Sequence, residues 1–233
     1  MSMGTRLTPY GLPQVLVWPI VTVGIMVVFS LTAGHSLPVW CVVSVNAVLA
    51  AVLVWALSFF RDPERACPEE TGLLLAPADG RVTDITVVDE PEFIGGKALR
   101  VGIFLSIFNV HINRSPCKAR VERIQYRPGQ CRNAMNPESG RVNESNNLYL
   151  VKVDTPSDRL IVRQISGAIA RRIVCKASEG QVLSMGERFG MIKFGSRTEL
   201  YAPSRSDVHC LVSLEQPVKA GLTPLVRYQP CRD

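Results

Sequence analysis

The stretch GERFGMIKFGSRTELYAP, residues Gly186–Pro203, decides the fold class of the larger part of this chain. Apolar residues alternate with polar ones on both sides of a central Gly195-Ser196 pair, as in two strands joined by a tight turn. The pattern predicts a β-hairpin. It also raises the question whether Gly195-Ser196 is only a turn or a reactive peptide bond.

Short β-branched segments of the same kind recur from Pro68 onward, separated by Gly, Pro, Asp and Asn. They are RVTDITVV (81–88), ALRVGIFLS (98–106), ARVERIQYR (119–127), LYLVKV (148–153) and RLIVRQIS (159–166). Strands at such short spacing predict a mainly β domain, sandwich-like or barrel-like. Two turns of the form apolar-x-x-Gly, Leu183–Gly186 and Val218–Gly221, add a weak internal likeness that is typical of lipoyl-carrier-like hairpins.

The N-terminal part of the chain has a different character, because no Asp, Glu, Lys or Arg occurs between Arg6 and Arg61. Its two apolar runs, Leu12–Ala33 and Val39–Phe60, each approach the roughly 20 residues that cross a bilayer core. The segment GHSLP between them favours a tight reversal. We therefore predict an α-helical, membrane-associated hairpin.

A cleaved signal peptide fits this hairpin poorly, because the apolar region is too long and is duplicated. The alternatives are a hairpin buried in a soluble domain and one lying in a single leaflet, although soluble helices rarely lack charge for so long. The flanking cations Arg6 and RDPER (61–65) favour both ends in the cytoplasm. The predicted organisation is a membrane hairpin in residues 1–62 and a β-rich domain in residues 63–233.

The overall charge narrows the class of partner. A net charge of +6 and a pI near 9.1 admit nucleic acid or an anionic membrane surface. No run of basic residues interleaved with aromatics occurs, so nucleic acid is disfavoured. The seven cysteines form no C-x-x-C pair and no metal-like spacing with the three histidines, which indicates reduced thiols and no metal site.

Three short motifs carry reactive side chains: Asp79 in APADGRV, His111 in FLSIFNVHINRSP and Ser196 in KFGSRTE. Taken singly, they are typical of a turn aspartate, a core histidine and a turn serine. Taken together, they match a relay in which a carboxylate orients an imidazole that removes a hydroxyl proton. Ser196 lacks a G-x-S-x-G context, which disfavours an α/β-hydrolase.

An activated Ser196 has the Gly195 carbonyl as its nearest electrophile. Glycine lacks Cβ and tolerates strained backbone, so an intramolecular N→O acyl shift is sterically feasible. The residue patterns leave open whether the three side chains converge.

The motifs PADGRV, FLSIFNVHINRSP, GAIARRIV and GERFGMIKFGSR occur in an order that resembles the short, bacterial and archaeal type of phosphatidylserine decarboxylase proenzyme. The resemblance covers nearly everything from Phe60 to about Val226, and the apolar N-terminal hairpin is also typical of that family.

The resemblance implies that the chain cuts itself between Gly195 and Ser196. Attack of Ser196 on the Gly195 carbonyl gives an ester, and elimination and hydrolysis leave a pyruvoyl group at position 196 as a covalent cofactor, with no metal. Asp79 and His111 match the Asp and His that assist this cleavage. The pyruvoyl carbonyl forms a Schiff base with phosphatidylserine and accepts electrons as CO₂ leaves, giving phosphatidylethanolamine.

The implied partners are an anionic phospholipid, the membrane, and the large and small chains of one precursor; self-association stays open. The hairpin is expected to hold the catalytic domain on the cytoplasmic side of the cell membrane. Arg114, Arg171 and Arg172 are candidates for contacts with anionic lipid, or else solvated charges.

One position departs from the family pattern. Longer members carry a second histidine three positions before the one that matches His111, and Phe108 occupies that place here. The proton for the carbanion must then come from His111, water or another group, with His209 a candidate on chemical grounds alone. Two alternatives to this function are a non-enzymatic, membrane-tethered carrier-like domain and the same chemistry on another serine-headed lipid.

Overall fold

A computed structural model of the chain describes residues 5–68, 70–136, 139–154, 156–168, 172–193 and 195–229. Its backbone contacts divide the chain into two compact units, Met1–Glu64 and Arg65–Asp233.

The first unit is a helical hairpin. Its elements are β1 (Thr5–Leu7), a 3₁₀ turn (Pro9–Gly11), α1 (Leu12–Ala33), α2 (Val39–Ser58) and β2 (Arg61–Pro63). Strands β1 and β2 pair at its open end, and the Asn46 amide donates to the Ser30 hydroxyl between the helices at 2.9 Å. Neither helix buries a side chain, and both are long and apolar enough to cross a membrane. The predicted apolar helical hairpin is confirmed.

The second unit is built almost entirely from strands. In chain order they are β3 (Leu73–Leu75), β4 (Gly80–Glu90), β5 (Gly96–Leu105), β6 (Ile112–Arg114), β7 (Ala119–Arg127), β8 (Ser145–Lys152), β9 (Arg159–Ile165), β10 (Ile173–Cys175), β11 (Val182–Leu183), β12 (Arg188–Ile192), β13 (Ser196–Pro203), β14 (Val208–Cys210), β15 (Pro217–Val218) and β16 (Pro224–Tyr228). A short helix, α3 (Ser139–Val142), precedes β8.

Antiparallel pairing assembles these strands into one large sheet and two small ones. The large sheet curls and has the order β11-β7-β8-β9-β13-β5-β4-β15, while the small sheets are β10-β12-β6 and β14-β16-β3. The core fills the space between them with apolar side chains such as Val82, Ile103, Leu148, Val162 and Leu200, all at most 1% exposed. The predicted mainly β fold is confirmed.

The predicted hairpin at Gly186–Pro203 is wrong. Strand β12 pairs with β10 and β6, whereas β13 lies between β5 and β9 in the large sheet. Ser196 is already a strand residue, and Gly195, with φ +60°, turns the chain from one sheet into the other. Both strands are buried almost throughout, so each needs neighbours in its own layer and cannot pair with the other alone.

An internal two-fold repeat underlies the second unit. Gly186 and Gly221 take the same left-handed conformation, with φ +72° and +69°. Their backbone N–H groups donate to Ser115 and Ala76 respectively, at 2.9 Å in both cases. The small sheets β10-β12-β6 and β14-β16-β3 correspond to each other in the same way, and so do the edge strands β11 and β15. The two apolar-x-x-Gly turns therefore occupy equivalent places in the fold.

Candidate active site

Ser196 is the first residue of β13 and lies opposite Leu105 of β5. Its side chain is fully buried, and its hydroxyl oxygen has no hydrogen-bond partner among the residues that the structure describes. Leaving a buried polar group unpaired costs about 1–3 kcal/mol, so such an atom points to a functional requirement. The preceding residue, Gly195, has the left-handed backbone that glycine adopts most easily.

The carbonyl of Gly195 lies in a space that a second glycine leaves open. A Cβ built on Gly167, in the loop after β9, would collide with the Gly195 carbonyl oxygen and come within 3.3 Å of the Ala134 side chain. The lack of a side chain at position 167 therefore gives the carbonyl its room. Reasoning from the residues alone did not single out Gly167, although it is the first residue of the motif GAIARRIV.

His111 lies just before β6 and is fully buried. Its Nδ1 is 3.0 Å from the carbonyl oxygen of Asn109. Because a carbonyl can only accept, Nδ1 carries a proton, and Nε2 is the basic nitrogen of the neutral ring. Asn109 is itself held by a turn, since its side-chain oxygen accepts from the backbone N–H and the hydroxyl of Ser106, each at 2.8 Å.

The loop that carries this turn connects His111 to the neighbourhood of Ser196. It starts directly after Leu105, the residue paired with Ser196, and ends at His111, whose carbonyl accepts from the Ile192 N–H at 3.3 Å. Ile192 lies three residues before Gly195. Both ends of the loop are therefore fixed to the two strands that border the Gly195–Ser196 bond.

Asp79 precedes β4 and is almost completely buried. Its carboxylate accepts two hydrogen bonds from Arg65, at 2.5 and 2.8 Å, and one from the Ala220 N–H at 2.8 Å. In the described part of the chain no hydrogen bond joins Asp79 to His111 or to Ser196. The structure thus places Asp79 in an ion pair, while His111 and Ser196 are linked through the neighbouring strands and loop.

A buried ionic cluster directly follows Gly195-Ser196. The fully buried guanidinium of Arg197 donates to Glu199 at 2.9 Å and pairs with Asp84 of β4. The Tyr201 hydroxyl donates to Glu199 at 2.6 Å, and burial together with the Glu199 charge raises the pKa of Tyr201 well above its ordinary value. Sequence reasoning missed this cluster because charges alternating along a strand are typical of an exposed face, and only the fold brings Asp84 to β13.

The candidates for lipid contact and for proton supply differ in how exposed they are and where they lie. Arg114 was a candidate for lipid contacts, and this prediction is wrong: its side chain is buried and donates to the Gly186 carbonyl at 3.1 Å. Arg172 is exposed, and Arg171 lies outside the described residues. His209 is exposed on β14, in the small sheet that contains neither His111 nor Ser196. Phe108 is 67% exposed in the loop before His111.

A cavity of about 380 Å³ opens beside the same loop. Ser106, Asn109 and Phe104 line one side of it, and Gly80 and Met135 contribute to the rest. Its volume falls in the range of small-molecule sites. Within the described ranges no group of three or more His, Cys, Asp or Glu side chains could hold a metal ion.

Comparison with known proteins identifies the family of the chain. Residues 52–225 match the family model described as phosphatidylserine decarboxylase. A phosphatidylserine decarboxylase proenzyme of Rhodopirellula baltica is 43% identical over 220 residues, which is 94% of this chain and 87% of that protein. The proenzyme of Symbiobacterium thermophilum is 46% identical over 79% of this chain and 84% of its own length. That of Xanthobacter autotrophicus is 39% identical, with shares of 92% and 86%. Since both the family model and these relatives span most of its length, the chain belongs to the phosphatidylserine decarboxylase family.

Proposed function

We propose that this protein cuts itself between Gly195 and Ser196 and then decarboxylates phosphatidylserine to phosphatidylethanolamine. The observation that carries the proposal is the buried Ser196 hydroxyl without a described partner, next to a left-handed Gly195. The relatives named proenzymes support a precursor that must be processed.

In the proposed cleavage, the Ser196 oxygen bonds to the Gly195 carbonyl carbon as the bond from that carbon to the Ser196 nitrogen breaks. Nε2 of His111 takes the hydroxyl proton, and the freed amine of residue 196 is protonated. Loss of the Cα proton of the resulting ester then expels the Gly195 carboxylate. Water replaces the nitrogen, which leaves as ammonia, and a pyruvoyl group remains at position 196.

Position 196 fits such a group, because it is buried and its oxygen has no described partner that would have to be given up. The pyruvoyl group supplies a carbonyl that bonds to the substrate amine and takes up the electrons of the broken carbon–carbon bond. His111 is held with its basic nitrogen defined, so it can carry a proton at Nε2. With Phe108 in place of a second histidine, His111 or water supplies the proton that replaces the carboxyl group.

Asp79 enters the proposal from the family resemblance. Its contacts with Arg65 and Ala220 hold the carboxylate at the start of β4. A direct relay to His111 requires the Nδ1–H group to leave the Asn109 carbonyl for this carboxylate.

The two products of cleavage are a large chain that ends at Gly195 and a small chain that begins at position 196. They stay together in this proposal because β13, in the small chain, is hydrogen-bonded to β5 and β9 of the large chain along most of its length. The apolar hairpin keeps the catalytic unit, residues 63–233, at the cytoplasmic face of the membrane where the lipid headgroup lies. The exposed Phe108 beside the site is compatible with a substrate presented by a bilayer.

Gly167→Ala tests the space around the scissile carbonyl. We expect it to slow cleavage of the Gly195–Ser196 bond about 100-fold, because a displacement of roughly 1 Å at a reacting atom costs a factor of that size. Intact and cleaved chains are quantified over time by denaturing electrophoresis. The matched control is Gly96→Ala, where an added Cβ meets open space. Cleavage of Gly167→Ala at the wild-type rate would contradict the proposed role of this space.

Release of CO₂ from vesicles tests the activity itself. Purified protein is incubated with vesicles of phosphatidylserine, of a serine-headed ether lipid, or of phosphatidylcholine as the control lacking the serine carboxylate. We expect release from phosphatidylserine and none from phosphatidylcholine. Release from the ether lipid alone would favour the alternative substrate. An intact chain that releases CO₂ from neither serine lipid would favour the carrier-like domain, and cleaved protein that releases none would contradict the proposed activity.

A further inference from the structure

A buried chain of polar side chains connects β13, which carries Ser196, to β6, which begins directly after His111. The Asn113 amide nitrogen donates to the Thr198 hydroxyl at 3.1 Å, and its oxygen accepts from the Gln164 side chain at 2.9 Å. Gln164 in turn accepts from Asn146 at 3.0 Å. All four side chains are at most 4% exposed, so their hydrogen bonds are shielded from competition with water.

Asn113 bridges a cross-strand pair of the large sheet. Thr198 of β13 and Gln164 of β9 lie directly opposite each other, and the Asn113 amide contacts both. Asn113 itself belongs to β6, which lies in a different sheet and shares no backbone ladder with β13 in the described ranges. The Asn113–Thr198 hydrogen bond is therefore a direct tie between two strands that the backbone does not pair.

The Asn113–Thr198 hydrogen bond lies close in sequence to both His111 and Ser196. Asn113 comes two residues after His111, and Thr198 comes two residues after Ser196. Because side chains two apart on a strand point to the same side, Thr198 and Ser196 share one side of β13. The bond connects that side to β6, which begins at the residue after His111. A shift of β6 against β13 would move the imidazole relative to the hydroxyl.

We infer that Asn113 is a positioning residue for self-cleavage, which through Thr198 sets the place of His111 relative to Ser196. The inference rests on the proposed function. Asn113 takes no proton and contacts no reacting atom; it fixes the alignment on which proton transfer from Ser196 depends.

The test compares three variants of the full chain. Thr198→Val keeps the shape of the side chain and removes the acceptor for Asn113, whereas Thr198→Ser keeps the hydroxyl. Tyr201→Phe is the control: it also removes a buried hydroxyl from β13, but one that bonds to Glu199 of the same strand. For each variant, the rate of cleavage at Gly195–Ser196 is measured across pH, and the unfolding midpoint is measured separately.

We expect Thr198→Val to cleave about 10- to 100-fold more slowly than wild type at every pH, because a hydroxyl at position 198 does not titrate in that range. Thr198→Ser is expected within about threefold of wild type, and Tyr201→Phe at the wild-type rate despite a lowered unfolding midpoint. Equal rates of cleavage for Thr198→Val and Tyr201→Phe would overturn the inference. A wild-type chain that never cleaves would instead overturn the proposed function.

Discussion

Ser196→Ala is expected to leave the chain intact at full length and to abolish release of CO₂ from phosphatidylserine. Without the hydroxyl there is no nucleophile for the Gly195 carbonyl and no precursor for the pyruvoyl group. Ser196→Thr and Ser196→Cys keep a nucleophile and are expected to process slowly. Denaturing electrophoresis measures the first effect, and gas release from vesicles measures the second.

The same variant also controls for folding. The hydroxyl of Ser196 is buried without a described partner, so its removal breaks no described hydrogen bond and the variant is expected to be at least as stable as the wild-type precursor. A Ser196→Ala chain that still divides in two, or that still releases CO₂, would show that the chemistry resides elsewhere.

The second large effect concerns Arg197. We expect Arg197→Met to lower the free energy of unfolding by about 3–5 kcal/mol, because it removes the fully buried cation that Asp84 and Glu199 share. Of the described cations, the two carboxylates then keep only Arg100, at 3.1 Å from Asp84, and Arg163, at 3.9 Å from Glu199, as partners. Denaturation of the Ser196→Ala background, followed by circular dichroism, measures the change on a single chain.

Arg205 offers a matched control, because it also binds two carboxylates. Its guanidinium pairs with Asp158 at 2.8 Å and Asp207 at 3.1 Å, but its side chain is 42% exposed. Arg205→Met is expected to cost less than about 1 kcal/mol, since solvent screens exposed pairs. Equal losses for Arg197→Met and Arg205→Met would contradict a specific role for the buried cluster.

Much of the architecture could be predicted from local pattern. The absence of charge between Arg6 and Arg61 indicated two apolar helices, and runs such as ARVERIQYR coincide with a strand of the structure, β7. Periodicity could not tell which strands pair. The hairpin predicted for Gly186–Pro203 is wrong because β12 and β13 pair with strands far away in the chain, β6 and β5. Two successive strands show the same alternation of apolar and polar residues whether they pair with each other or belong to different sheets.

The candidate site also has residues that the sequence predicted and residues that it did not. Ser196, His111 and Asp79 were singled out by their motifs, and their roles stay predictions. Gly167, Asn113 and Arg197 lie within the quoted motifs, but their position had given no reason to single them out. Each makes a contact with a residue 28 to 113 positions away in the chain, which only the fold brings close. The buried position of Arg114 could not be foreseen either, since arginine side chains are usually exposed.

The most direct test of the account is the mass of the purified protein under denaturing conditions. We predict two chains divided between residues 195 and 196, with the small chain lighter by one ammonia than the unmodified segment 196–233 and resistant to Edman degradation. A single intact chain in a preparation that releases CO₂ from phosphatidylserine would contradict the central claim that the protein makes its cofactor from Ser196.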